Sequence, residues 1–274
     1  MRRVNRFLQL FRLGNCLMAV VALVLAVLVA VGLDLFDFWR EMLIGGVVVF
    51  TFVAGGNALN DYSDREVDRL AHPERPIPSG RMKASTALKV SAGAFIISII
   101  ASFFLNPASI LIVLSAIGII ILYEARTKKA GLTGNLSIAW LTGALFLLGG
   151  AMVGHLDRTV VIAAMAALAT LGREIVKDIQ DMEGDFDRNT LPKRIGKRSA
   201  GILGSAAFLV AVGLSPAPYL AGIFGIWYML TVLVADAIFI YSSIVHFQNP
   251  KKGQTWAKIG MAAALVAFLI GGIT

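Results

Sequence analysis

Two short stretches of this chain space their carboxylates in the same way. Asn57 to Asp68 reads NALNDYSDREVD, and Lys177 to Asp185 reads KDIQDMEGD. Asp61, Asp64 and Asp68 stand at offsets of zero, three and seven, and Asp178, Asp181 and Asp185 repeat them. On a helix these offsets set all three carboxylates on one side. Six carboxylates in two clusters repel one another unless cations sit among them. Hard oxygen donors of this kind suit Mg²⁺, which is usually held by a few carboxylates together with the phosphates of a substrate. The pattern therefore points to a phosphorylated substrate.

A diphosphate ester docked between the motifs would have Mg²⁺ bridging its phosphates to the carboxylates, with lysine and arginine neutralising the remaining charge. Arg65, Arg69, Arg75, Lys128, Lys129 and Lys177 are at hand. The short run Arg126-Thr-Lys128-Lys129 is dense enough in charge to close over the phosphates. Asn57 falls on the carboxylate face, either as a further ligand for metal or phosphate or as a buried polar residue serving helix packing. Stabilising the leaving diphosphate weakens the C–O bond, and an allylic carbon would depart as a cation. A long hydrocarbon tail would complete such a substrate and place the reaction in lipid.

The elements that must position these groups are membrane helices. Of 274 residues, 57% are hydrophobic and only 15% charged, and the mean hydropathy is +0.77. A soluble domain is nearer half apolar and a quarter charged. The expected fold is all-α, a polytopic membrane protein with nine transmembrane helices in one bundle, forming a single domain over 1–274. A crossing needs about 20 apolar residues, and the segments run roughly 13–33, 41–60, 84–105, 108–124, 134–154, 158–178, 200–215, 219–246 and 254–273. Each motif ends one of these segments and is followed by a basic loop containing proline. The basic N-terminus leads into an apolar run too long for a cleaved signal peptide.

Lysine and arginine crowd the N-terminus and the loops after the second, fourth, sixth and eighth segments, while the opposite loops hold only Arg40 and Arg158. By the positive-inside rule the N-terminus and both motifs are cytoplasmic and the C-terminus external. The net charge of +8 is thus largely a topology signal, with no call for nucleic acid. The single cysteine, Cys16, excludes a disulfide framework or a cysteine metal site. Asp236, inside the eighth segment, needs a polar cavity or a hydrogen-bonding partner. Gly45, Gly46, Gly55 and Gly56 suit close helix packing. His246, at a helix end, is expected to carry partial positive charge.

Asn57-x-x-Asn60-Asp61-x-x-Asp64-x-x-x-Asp68 and Asp178-x-x-Asp181-x-x-x-Asp185 resemble the two signature motifs of the UbiA superfamily of intramembrane prenyltransferases, and the resemblance covers essentially the whole chain. It implies a nine-helix bundle with a lateral opening to membrane lipids, and Mg²⁺-dependent transfer of a prenyl group from an isoprenyl diphosphate. It also implies that Asn57 and the six aspartates hold metal and diphosphate, with Lys128 or Lys129 on the diphosphate. Arg12-x-x-Asn15 resembles an element near the acceptor. His72-Pro-Glu-Arg75-Pro76-Ile-Pro78-Ser-Gly80 and Arg173-Glu174-Ile-Val-Lys177-Asp178 most resemble those members that join a geranylgeranyl group, from geranylgeranyl diphosphate, to the hydroxyl of geranylgeranylglyceryl phosphate. Arg173 and Lys177 then supply cations for the acceptor's own phosphate. The first of these signatures also occurs in members resembling chlorophyll synthase, so a quinone precursor or tetrapyrrole acceptor stays open. A transporter of ions or phosphate is the reading from another class. Against it, the motifs share one side and repeat directly, whereas transport sites lie near the midplane.

Overall fold

A computed structural model describes residues 2–182 and 189–274, with side chains from residue 6 onward. Among these residues the regular structure is entirely helical. Two compact units divide the chain, Met1–Val24 with Phe38–Ala125, and Leu25–Asp37 with Arg126–Thr274.

The first unit holds α1 (Arg2–Phe11), α3 (Trp39–Ser63), α4 (Arg65–Ala71), α5 (Ala84–Ser102) and α6 (Pro107–Ala125); α2 (Leu13–Val31) is divided between the units. Asn106 starts α6, its side chain accepting from the backbone N–H of Ser109 at 3.0 Å ahead of a proline already set for helix. α3 and α5 are held by small residues. The Ser91 hydroxyl donates to the carbonyl of Gly55 at 2.8 Å and that of Ser98 to Val48 at 3.0 Å. A Cβ at Gly55 would stand 3.0 Å from the Phe95 ring. With no aqueous solvent to drive helices together in lipid, close backbone approach and serine hydrogen bonds are the available adhesives.

The second unit holds α7 (Leu132–Met152), α8 (Leu156–Asp181), α9 (Leu191–Ile195), α10 (Lys197–Leu214), α11 (Ala217–Leu220), α12 (Ile226–Val245) and α13 (Pro250–Ile273). α8 and α10 meet at Gly172, where a Cβ would press into the Phe208 ring at 2.7 Å. Aromatic residues Phe146, Phe224, Tyr228 and Phe268 pack in one buried cluster. Asp236 is resolved by a partner: the Ser215 hydroxyl donates to it at 2.6 Å, and Tyr228 donates to the Ser215 carbonyl at 2.8 Å.

Eight stretches among the described residues are long and apolar enough to cross a membrane. The first, Leu13–Ser63, runs for 51 residues because a 3₁₀ segment, Gly32–Phe38, carries α2 into α3. The expected segment 219–246 is not one helix. The carbonyl of Pro218 accepts from the N–H groups of Ile223 and Phe224, Gly222 adopts φ +68°, and α12 begins only at Ile226.

Candidate active site

Asp61 occupies the last turn of α3, and Asp68 lies on α4. The three carboxylates of the first motif do not share one unbroken helix. Asp64 sits between α3 and α4 at φ −87°, ψ 3°, although the N–H groups of Asp64 and Asp68 still reach the carbonyls of Asn60 and Asp64. Asp61 is 2% exposed and Asp68 4%. Carboxylates so deeply buried require a charge partner, and each has a guanidinium. Arg12 meets Asp61 at 2.5 Å. Arg75 meets Asp68 at 2.6 Å and lies 3.8 Å from Asp61.

Arg12 reaches Asp61 from the break between α1 and α2, where it takes φ +49°, the one positive φ outside glycine among the described residues. Its guanidinium also donates to the Asn60 side-chain oxygen at 3.2 Å. The Asn60 amide in turn donates to Asp64 at 3.2 Å and to Glu124 at 2.9 Å. Asn57 donates to the Phe11 carbonyl at 2.8 Å, so its amide nitrogen ties α3 to the end of α1, leaving the oxygen as the atom a cation would use. Arg65 stacks on Tyr62, 4.7 Å from the ring centre, and donates to the Tyr62 carbonyl at 2.8 Å. Asn15 is exposed.

In the second unit, Asp178 and Asp181 lie in the last turn of α8. Asp178 accepts from Asn135 of α7 at 3.0 Å, and Asn135 is 6% exposed. Asp181 is half-buried, and Asp185 lies outside the described residues. Arg173 and Lys177 share a face of α8, as their spacing requires, and both turn to Glu174, at 2.5 and 3.5 Å. The Nε of Arg173 is buried and has no hydrogen-bond partner among the described residues. The basic loop is a 3₁₀ turn, Thr127–Lys129, with Lys128 half-buried and Lys129 exposed. It folds back on α7, where the Thr127 carbonyl approaches Gly134 too closely for any Cβ.

Among the described residues no three His, Cys, Asp or Glu side chains converge closely enough to hold a metal by themselves. In the first motif the reason is visible, since Arg12 and Arg75 lie against the carboxylates. The donor chemistry still fits Mg²⁺: carboxylate and amide oxygens, with no thiol or imidazole among them. An ion that takes only one or two carboxylates and completes its shell with phosphate oxygens does not need three converging side chains.

Glu124, Asn135 and Glu174 were absent from the candidate site residues, whereas Arg12, read as part of an element near the acceptor, is found on Asp61. Asn135 is a lone amide in an apolar segment, and Glu124 a lone acid at a segment's end; each is the kind of polar residue that lipid surroundings make functional by default. Glu174 is three residues before Lys177, the spacing of a helical ion pair.

The helical membrane architecture and the aspartate-rich helix ends define a class, and the model of the UbiA prenyltransferase family matches residues 17–269. The chain belongs to that family and is a prenyltransferase. Within the family it is similar to digeranylgeranylglyceryl phosphate synthases. The one from Methanosarcina mazei is 40% identical over 285 aligned residues, covering 98% of each chain. A solved structure concerned with digeranylgeranylglyceryl phosphate synthase in membranes superposes with a TM-score of 0.90 at 34% identity, over 100% of this chain and 99% of that one. A UbiA homologue from Archaeoglobus fulgidus bound to DMAPP and Mg²⁺ shares the fold, with a TM-score of 0.69 at 16% identity over 97% of this chain and 99% of that one.

Proposed function

We propose that this enzyme transfers the geranylgeranyl group of geranylgeranyl diphosphate to the free hydroxyl of geranylgeranylglyceryl phosphate, releasing diphosphate, in the synthesis of archaeal ether lipids. The observation that carries this reading is likeness along the entire chain to enzymes of that activity, at 34 to 40% identity. Mg²⁺ held at each motif, by Asp61, Asp64 and Asp68 with the Asn57 oxygen at the first and by Asp178, Asp181 and Asp185 at the second, would neutralise the charge that builds on the departing diphosphate. Arg75, Lys128, Lys129 and Arg65 bind and orient the diphosphate oxygens. As the C–O bond breaks, its electron pair leaves with the diphosphate. The acceptor oxygen bonds to the allylic carbon, and the hydroxyl proton is lost. Arg173 and Lys177 hold the phosphate of the acceptor, exchanging Glu174 for it, and Asn15 lines the acceptor's approach.

The chain is read as one prenyltransferase domain, because the family match runs through both compact units. It crosses the membrane nine times in this reading. A 51-residue first stretch is roughly 75 Å long at 1.5 Å per residue, more than twice the ~30 Å hydrocarbon layer, so it makes two crossings joined at Gly32–Phe38. The lysine and arginine distribution sets the N-terminus and both motifs in the cytoplasm and the C-terminus outside.

The test is product formation. Membranes containing the enzyme, given Mg²⁺ and labelled geranylgeranyl diphosphate, should label geranylgeranylglyceryl phosphate and leave an aromatic quinone precursor unlabelled. Label in the aromatic acceptor alone would replace this reading with the other.

A further inference from the structure

A second polar feature of the Leu25–Asp37 and Arg126–Thr274 unit is lined by none of the residues given roles above. A cavity of about 720 Å³ is bounded by Ile179 of α8, Lys197, Arg198 and Ile202 of α10, and the turn from His246 to Pro250. Pockets of a few hundred cubic ångströms and more hold small organic ligands. Here the wall is divided by chemistry. Lys197 and Arg198 are exposed cations, and they open α10, while Pro250 opens α13. The N-terminus of α10 and its two cations favour an anion, whereas that of α13 is already capped by the Asn249 side chain, which accepts from the Lys252 N–H at 2.9 Å. Beside them, Ile202 and Phe247 remain 55% and 49% exposed, an apolar surface that a free inorganic anion would leave uncovered.

The inner wall carries a histidine with an unmet hydrogen bond. His246 is 1% exposed and fits only because α10 and α13 present glycine: a Cβ at Gly201 would stand 3.0 Å from its ring, and one at Gly253 would overlap its Cβ. The Ser205 hydroxyl donates to the Ser243 carbonyl at 2.7 Å, so at 2.8 Å it accepts from His246 Nε2–H. That tautomer leaves Nδ1 as an acceptor, buried and without a partner among the described residues. A buried acceptor left unmet is unfavourable.

We infer that this cavity binds the glycerophosphate headgroup of a membrane lipid, its phosphate on Lys197 and Arg198 and the first carbons of its chains along Ile202 and Phe247. Ile179 is adjacent in sequence to Asp178, so an occupied cavity packs the turn of α8 that carries the second motif.

Native mass spectrometry of the full chain, extracted from vesicles of phosphatidylcholine with 10 mol% phosphatidylglycerol, tests this. The Lys197→Gln/Arg198→Gln double variant should retain phosphatidylglycerol about thirtyfold more weakly than the parent chain, from the usual contribution of basic residues at an anionic membrane surface. Its melting temperature in lipid-free detergent should match the parent's, which separates lost binding from lost folding. Equal retention by parent and variant would overturn the inference. Displacement of phosphatidylglycerol by an equimolar amount of inorganic phosphate would also overturn it, by assigning the cavity to a free anion.

Discussion

At the end of α3, the buried carboxylates Asp61 and Asp68 are met by guanidiniums from separate points in the sequence, Arg12 at 2.5 Å and Arg75 at 2.6 Å. At the end of α8, Asp178 is met by the neutral amide of Asn135 at 3.0 Å, and the neighbouring cations Arg173 and Lys177 turn to Glu174 instead. The same Asp-x-x-Asp-x-x-x-Asp spacing thus meets guanidiniums at one helix end and a side-chain amide at the other. In the first, cations compensate the motif's own carboxylates. A dication arriving with a diphosphate can take over that compensation and free the arginines for phosphate oxygens. In the second, the Asn135 amide is one partner of Asp178, and Arg173 and Lys177 are held on a separate acid, Glu174. In the proposed function both motifs serve the Mg²⁺ of the diphosphate, and the Arg173–Glu174–Lys177 group serves the phosphate of the acceptor.

The largest effect that would break this comparison is at Asp61. Asp61→Asn keeps the shape and removes the charge, and turnover should fall at least about a hundredfold, a loss of roughly 3 kcal/mol of transition-state stabilisation. Excess chelator should abolish the activity of the parent enzyme and Mg²⁺ should restore it. A near-normal rate for the variant, or full turnover in chelator, would remove the first motif from the reaction.

A smaller effect is expected at Asn135. Groups that orient a metal-binding side chain from behind are typically worth about ten- to a hundredfold. Asn135→Leu should therefore lower turnover by an amount in that range, with the melting temperature little changed. An unchanged rate would make the amide a packing contact and erase the distinction between the motifs.

Much of this arrangement was legible in the sequence. The motifs were legible as a repeated local spacing, although Asp64 falls at a break between α3 and α4, and the burial of Asp61 and Asp68 shows that they are not a solvated face. Long-range partners were not legible. Nothing near Asp61 in sequence announces Arg12, whose reach depends on a positive φ at the α1–α2 break. Glu174 was visible in the string, but Arg173 and Lys177 were read as free for phosphate because the pairing depends on which rotamers the helix allows. The break after α11 was misjudged for a related reason. Apolar composition continues through Ala221–Gly225, and the interruption comes from the Pro218 carbonyl and the positive φ of Gly222. His246 was expected to be partly charged. It is buried between glycines, and burial pushes its imidazole below the ordinary value.

The smallest effect follows from that histidine. The folded chain holds His246 neutral, whereas the unfolded chain takes up a proton below about pH 6.5. Its contribution to stability is therefore present above that pH and is lost as the pH falls toward the depressed folded value. Between pH 7.5 and 5.5 the melting temperature of the parent should drop more than that of His246→Gln. Parallel curves would show that the ring is not held neutral.

The most direct test of the assignment of Arg173 and Lys177 to the acceptor is a pair of apparent KM values measured for Arg173→Met and for Lys177→Met, one for each substrate. An interaction made with one substrate appears in the kinetics of that substrate. The KM for geranylgeranylglyceryl phosphate should rise severalfold in both variants while that for geranylgeranyl diphosphate stays within experimental error. Equal increases for both substrates would place these cations on the leaving diphosphate and contradict the assignment of the Arg173–Glu174–Lys177 group to the acceptor.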